Sequence, residues 1–176
     1  MSAHNGDMPG PVTNPKAGAL AERYRALFGG PELPVPVEAI AEDLLGLSVG
    51  EDDELPVSGL LLPAERQIWL NGREARENPG RRRFTLAHEL GHWVCQCLEG
   101  RSAPVYCRSE DLGAGADREL EREANVFAAE LLMPEPVVRA AFEVGHPAPE
   151  RFGVSQLALA WRLYGFGLVS EQPQPR

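Results

Sequence analysis

His88-Glu89-Leu90-Gly91-His92 constrains this chain more than any other five residues. The run matches H-E-x-x-H, a spacing that can hold a zinc ion. On an α-helix, residues i and i+4 lie on one face, one turn apart, so both imidazoles can reach a single ion. Glu89 projects beside them, placed to hold a water whose pKa zinc can bring from about 16 to about 7. The same pentapeptide arises by chance in ordinary buried helices, so its surroundings must decide.

Arg83-Phe84-Thr85-Leu86-Ala87 leads in and Trp93-Val94 follows, with no internal proline. Phe84, Ala87, Leu90, Gly91 and Val94 recur at helical spacing, which predicts one buried face. Asn78-Pro79 is a capped start, with Pro at the first helical position, and Gly100 is a stop. Gly91 costs about 1 kcal/mol of helix propensity relative to Ala, which points to close approach of another segment there.

Two histidines leave zinc under-coordinated, because catalytic sites usually combine three protein ligands with a water. The metzincin continuation needs Gly and His where this chain has Cys95 and Leu98, so that class is excluded. The other common solution is a carboxylate from a later helix. Residues 117–133, ended by Pro134, carry an apolar stripe of Leu120, Ala124, Phe127, Ala128, Leu131 and Leu132. This helix should pack on the first, closely at its alanines. Glu121 lies on the Ala124 and Ala128 side and can point into the interface. Glu119 and Glu123 are more easily solvated, with Arg118 and Arg122 nearby for pairing.

RRRFTLAHELGHW followed by ELEREANVFAAELLMP resembles the ImmA/IrrE metallopeptidases. Weaker resemblance extends over most of residues 35–169, including the strand-like runs Gly59-Leu60-Leu61-Leu62 and Ile68-Trp69-Leu70-Asn71. The resemblance implies an α+β, zincin-like fold, mostly helical, with a small sheet packed on the H-E-x-x-H helix and a second helix carrying a glutamate ligand. It implies Zn²⁺ held by His88, His92 and a glutamate of that second helix, with Glu89 as the catalytic base. Related gluzincins open a pattern E-x-x-A-D/N with the ligand. Laid onto this chain, it gives Glu121 as ligand and Asn125 as its supporting partner, with Glu123 as the rival because it directly precedes Ala-Asn. Family members of known role cleave helix-turn-helix repressors, which releases stress-response or mobile-element genes. The zincin mechanism also needs an edge strand for substrate backbone, and Ile68, Leu70 and Asn71 are the expected substrate-binding positions.

The 176 residues suit one domain, 16–169, between tails at 1–15 and 170–176. No apolar run of ~20 residues and no basic-then-apolar leader is visible, so a cytoplasmic chain with no membrane contact is expected. Net charge is −9, from 17 basic and 26 acidic side chains, which argues against direct nucleic-acid binding. Cys95, Cys97 and Cys107 fit structural zinc spacing poorly and are expected to be reduced thiols. His146 sits in a Gly-Pro loop and is expected to be only a loop residue. Arg81-Arg82-Arg83 should pair with the acidic residues of 117–123.

Elsewhere the pattern predicts helices over 18–28, 37–45, 135–142 and 155–164, strands over 47–49, 57–62 and 67–71, and a loop over 99–118. Three functions compete: a zinc endopeptidase acting on a repressor, a DNA-binding regulator using residues 153–164 as a helix-turn-helix, and a catalytically inactive module that keeps the fold. Residues 153–164 contain one positive charge, Arg162, against the second. Retention of Glu89 and the ligands stands against the third.

Overall fold

The computed structural model describes residues 12–30, 32–101, 115–145 and 147–174. Helix α1 (Pro15–Phe28) begins earlier than the apolar pattern suggested. The Asn14 side chain accepts from the Lys16 N–H at 3.0 Å, and Pro15 occupies the first turn, so a capping residue and a proline open the helix ahead of Gly18. Helix α2 (Val37–Ala39) runs on as a π-helical turn (Ile40–Leu44) and delivers Ile40 and Ala41 to the core.

Three short strands follow: β1 (Ser48–Asp52), β2 (Gly59–Leu62) and β3 (Gln67–Asn71), in the order β1-β3-β2. Strand β1 pairs parallel to β3, and β2 pairs antiparallel to it. The strand β1 reaches into the acidic run at Glu51 and Asp52, because an edge strand with exposed side chains tolerates charge. Strand β3 is central, which corrects the expected edge position of residues 67–71. Its Ile68 and Leu70 are fully buried, and Asn71 turns inward to cap the next helix.

That helix, α3 (Gly72–Glu77), has no counterpart in the sequence reading. Asn71 ends the strand and caps α3 at once, its Oδ1 accepting from the Glu74 N–H at 3.1 Å. Helix α4 (Pro79–Cys95) carries the H-E-x-x-H motif, and its cap is Asn78, as expected. A 3₁₀ turn (Cys97–Glu99) then leads to Gly100 at φ 72°. Helix α5 (Gly115–Leu132) returns along α4, and α6 (Glu135–Glu143), α7 (Pro149–Phe152) and α8 (Gln156–Gly165) complete an α+β arrangement of the zincin type. Among the described residues, no helix is long and apolar enough to cross a membrane.

One face of the sheet, through Leu61, Ile68 and Leu70, packs on α4 at Leu86, Ala87 and Leu90. Behind them α5 contributes Phe127, Ala128, Leu131 and Leu132, all fully buried. Gly91 lies directly against the backbone of α5 at Ala124. A Cβ placed there would lie 2.9 Å from both the Ala124 Cα and its carbonyl oxygen. The missing side chain therefore lets two backbones touch next to His92 and within one turn of His88.

Gly91→Ala should destabilise the fold by about 1–3 kcal/mol, because overpacking against backbone outweighs the ~1 kcal/mol gain in helix propensity. Urea denaturation checks it, and unchanged or raised stability would show that the helices can separate freely.

Candidate metal centre

Helix α4 places His88 and His92 one turn apart on its inner face, and the contact at Gly91 brings Glu121 of α5 opposite them. His88 Nε2 lies 3.0 Å from His92 Nε2. The Glu121 carboxylate stands 3.1 Å from each of these nitrogens, one oxygen to each ring. His92 is fully buried and His88 nearly so.

The outer ring nitrogens fix which tautomer each histidine adopts. His88 Nδ1 donates to Asn125 Oδ1 at 3.0 Å, and His92 Nδ1 donates to Gln96 Oε1 at 2.8 Å. The Gln96 amide cannot flip cheaply, because its Nε2 donates to the Leu120 carbonyl at 2.9 Å. Neutral rings that carry their hydrogen on Nδ1 turn the lone pair of Nε2 inward. Two lone pairs and a carboxylate then face one point, an arrangement that calls for a cation. The three donor atoms lie within 4.8 Å of one another and have the composition of a His₂Glu catalytic zinc site. Without an ion, a proton serves the same need. Burial works to lower the His92 imidazole, but Glu121 and Gln96 outweigh it and raise it above its ordinary value. Burial likewise works to raise Glu121, yet hydrogen bonds from His88 and His92 bring its carboxyl down to about 2. The donor set therefore fits a divalent ion.

Glu89 is fully buried between α4 and β2. A Cβ on Gly59 would lie 2.8 Å from Glu89 Oε1 and 2.6 Å from the Thr85 methyl group, so the strand backbone rests directly on this carboxylate. Glu123 turns away, paired with Arg101 at 2.8 Å, and does not join the cluster.

Two residues escaped the sequence reading. Gln96 lies one turn beyond His92, and that spacing is the only signal it offers. Gly59 was visible as a glycine within a strand, a mark of close backbone approach. Among the described residues, the expected pairing of the arginine run with residues 117–123 is not observed. Arg81 pairs with Glu74, Arg82 with Glu38 and Glu51, and Arg83 donates to the Val35 and Gly153 carbonyls. Cys95 is buried and Cys97 half-buried, both as free thiols. Burial pushes each above its ordinary value, which suits unreactive groups. Cys107 and His146 lie outside the described residues.

Arg162, the one cation of the supposed helix-turn-helix, is buried. It pairs with Glu130, donates to the Met133 carbonyl at 3.1 Å and to the Val12 carbonyl, and stacks 4.2 Å from the Phe166 ring. It is not available to a phosphate.

Residues 49–164 match the IrrE N-terminal-like domain of the M78 peptidases. The radiation response metalloprotease IrrE of Deinococcus radiodurans is 38% identical over 96 residues, which is 54% of this chain and 26% of that protein. A solved transcriptional regulator of Mycobacterium tuberculosis superposes with a TM-score of 0.61 at 24% identity, over 86% of this chain and 47% of its own, a likeness of fold. The chain thus spans about a quarter of the curated relative and under half of the solved one.

Gln96→Leu should weaken metal binding by about 10–100-fold, the usual effect of losing the partner of a ligating histidine. Glu123→Gln should leave affinity unchanged. Competition with a chromophoric chelator measures both, and equal affinity in Gln96→Leu and the parent would remove Gln96 from the site.

Proposed function

Given that the chain belongs to the family of IrrE N-terminal-like domains, a metallopeptidase family, we propose that it is a zinc-dependent, gluzincin-like endopeptidase that cleaves a helix-turn-helix transcriptional repressor in the cytoplasm. Residues 16–169 would form the single catalytic domain, flanked by tails at 1–15 and 170–176. The observation that carries this reading is the convergence of His88, His92 and Glu121 beside the buried carboxylate of Glu89.

In this reading His88, His92 and Glu121 hold the zinc ion, and Asn125 and Gln96 keep the two rings turned toward it. When bound, zinc supplies a Lewis acid that polarises the scissile carbonyl and acidifies water. Glu89 takes the proton of the attacking water on a carboxylate oxygen and passes it to the leaving amine. Gly59 lets the strand backbone and this carboxylate share one space.

The substrate strand would pair with β2 in place of β3. Among the described residues the outer edge of β2 has no partner strand. The Ser58 carbonyl accepts from the Asn71 N–H at 2.9 Å, so alternation turns the N–H and C=O of Gly59 and Leu61 outward. An extended peptide pairing there lies beside Glu89. A helix cannot, since its backbone groups are already used, so linkers or locally melted helices are the targets. The net charge of −9 favours approach of a basic partner, as DNA-binding proteins are.

In Glu89→Gln, zinc content should stay while proteolysis falls by orders of magnitude, and His88→Ala should lose both. Equal cleavage by the parent and Glu89→Gln would reject the mechanism. Gly59→Ala should keep zinc yet cut activity by up to about 10²-fold, because displacing the base by a fraction of an ångström spoils its alignment. For the substrate, the zinc-loaded protein is incubated with a helix-turn-helix repressor and with casein, and mass spectrometry locates the cuts. Digestion of casein with the repressor left whole would overturn the repressor assignment and leave the peptidase.

A further inference from the structure

A groove of about 810 Å³ opens from Glu121 and Asn125 and runs to the outer face of α8. That volume lies within the ~300–1,000 Å³ typical of ligand sites. Its floor is apolar, formed by Phe84 of α4, Val126 and Ala129 of α5, and Ala158 of α8. Leu157 and Trp161 line it one turn apart, 40% and 41% exposed. Large apolar side chains left open to water along a concave surface mark a binding face.

The charge at its rim opposes that of the whole chain. Arg118 and Arg122, one turn apart on α5 and both exposed, line the groove next to Glu121. Among the described residues, no carboxylate pairs with either guanidinium. Three carboxylates of α5 are committed elsewhere, Glu121 to the histidines, Glu123 to Arg101 and Glu130 to Arg162, and exposed Glu119 forms no ion pair with either arginine. A chain of net charge −9 therefore presents a locally positive, apolar channel beside its metal centre.

We propose that this groove is a substrate subsite that takes a segment combining apolar side chains with carboxylates, with Arg118 and Arg122 setting the charge preference and Trp161 the apolar one. The assignment rests on the peptidase reading, since a peptide held over the centre must continue past Glu121 on one side. The cut segment thus differs in charge from its parent protein: a basic repressor would offer an acidic, apolar stretch. Arginine suits this role because its guanidinium meets a carboxylate with two parallel hydrogen bonds.

The test uses the full chain carrying Glu89→Gln, so that binding is read without turnover. Three fluorescent 12-residue peptide pools alternate Leu, Ile, Phe or Val with Glu, with Lys, or with Ser, and fluorescence anisotropy measures their affinity. The Glu pool should bind at least tenfold tighter than the Lys pool, and Arg118→Glu/Arg122→Glu should invert that order. Trp161→Ser should weaken the Glu pool severalfold with the thermal midpoint unchanged, as suits an exposed side chain. Equal binding of the Glu and Lys pools, or an order that survives the double charge reversal, overturns the proposal. Self-association that Trp161→Ser abolishes would give the groove to a second copy and overturn it likewise. Groove binding in a protein that cleaves nothing defeats the peptidase reading alone, whereas cleavage with indifferent binding defeats the subsite alone.

Discussion

The contact of Gly91 with Ala124 sets the dimensions of the site. Two helices that meet through backbone hold their neighbouring side chains at fixed spacing, and here those neighbours are His88, His92 and Glu121. A Cβ at Gly91 would lie 2.9 Å from the α5 backbone, so any larger residue would push Glu121 away from the imidazoles. Burial on the far side of each helix keeps the pair from sliding. Leu86 and Leu90 face the sheet, while Phe127, Leu131 and Leu132 fill the core behind.

Buried charge in this chain is placed where it is answered. Glu121 meets two imidazoles, and Arg162 meets Glu130, two backbone carbonyls and an aromatic face. A buried ion pair adds little net stability, but removal of one partner costs several kcal/mol, so such pairs fix geometry. Arg162 in this way ties α8 to α5 and to Val12 ahead of α1, which holds the groove wall in place. Arg83 does similar work through the Val35 and Gly153 carbonyls, and burial pushes its guanidinium below its ordinary range.

What the sequence revealed was whatever helical periodicity determines. The shared face of His88 and His92 follows from their spacing of four, and the place of Glu121 in the interface from the alanine stripe at three and seven residues, while its choice over Glu123 also drew on the family pattern. The close approach at Gly91 follows from a glycine where none is needed locally. Strand order was not legible, because it depends on pairing between distant segments: both β2 and β3 are short apolar runs, and nothing local says which lies in the middle. Ile68 and Leu70 were accordingly given to a substrate when they belong to the core. Helix α3 was hidden because Asn71 serves as both strand end and cap. Gln96 looked like one more polar residue near a helix end, and only the positions of His92 and Leu120 reveal its use.

The bond from Gln96 to the Leu120 carbonyl joins the end of α4 to the first turns of α5, and His92 hangs from the same amide. Ion occupancy and the docking of α5 are therefore thermodynamically linked. An ion that binds only the docked arrangement stabilises it by mass action, about 2.7 kcal/mol at a free concentration one hundred times the dissociation constant. An ion held by these residues would fasten α5 to α4, and the supply of metal in the surrounding solution would become a variable of folding.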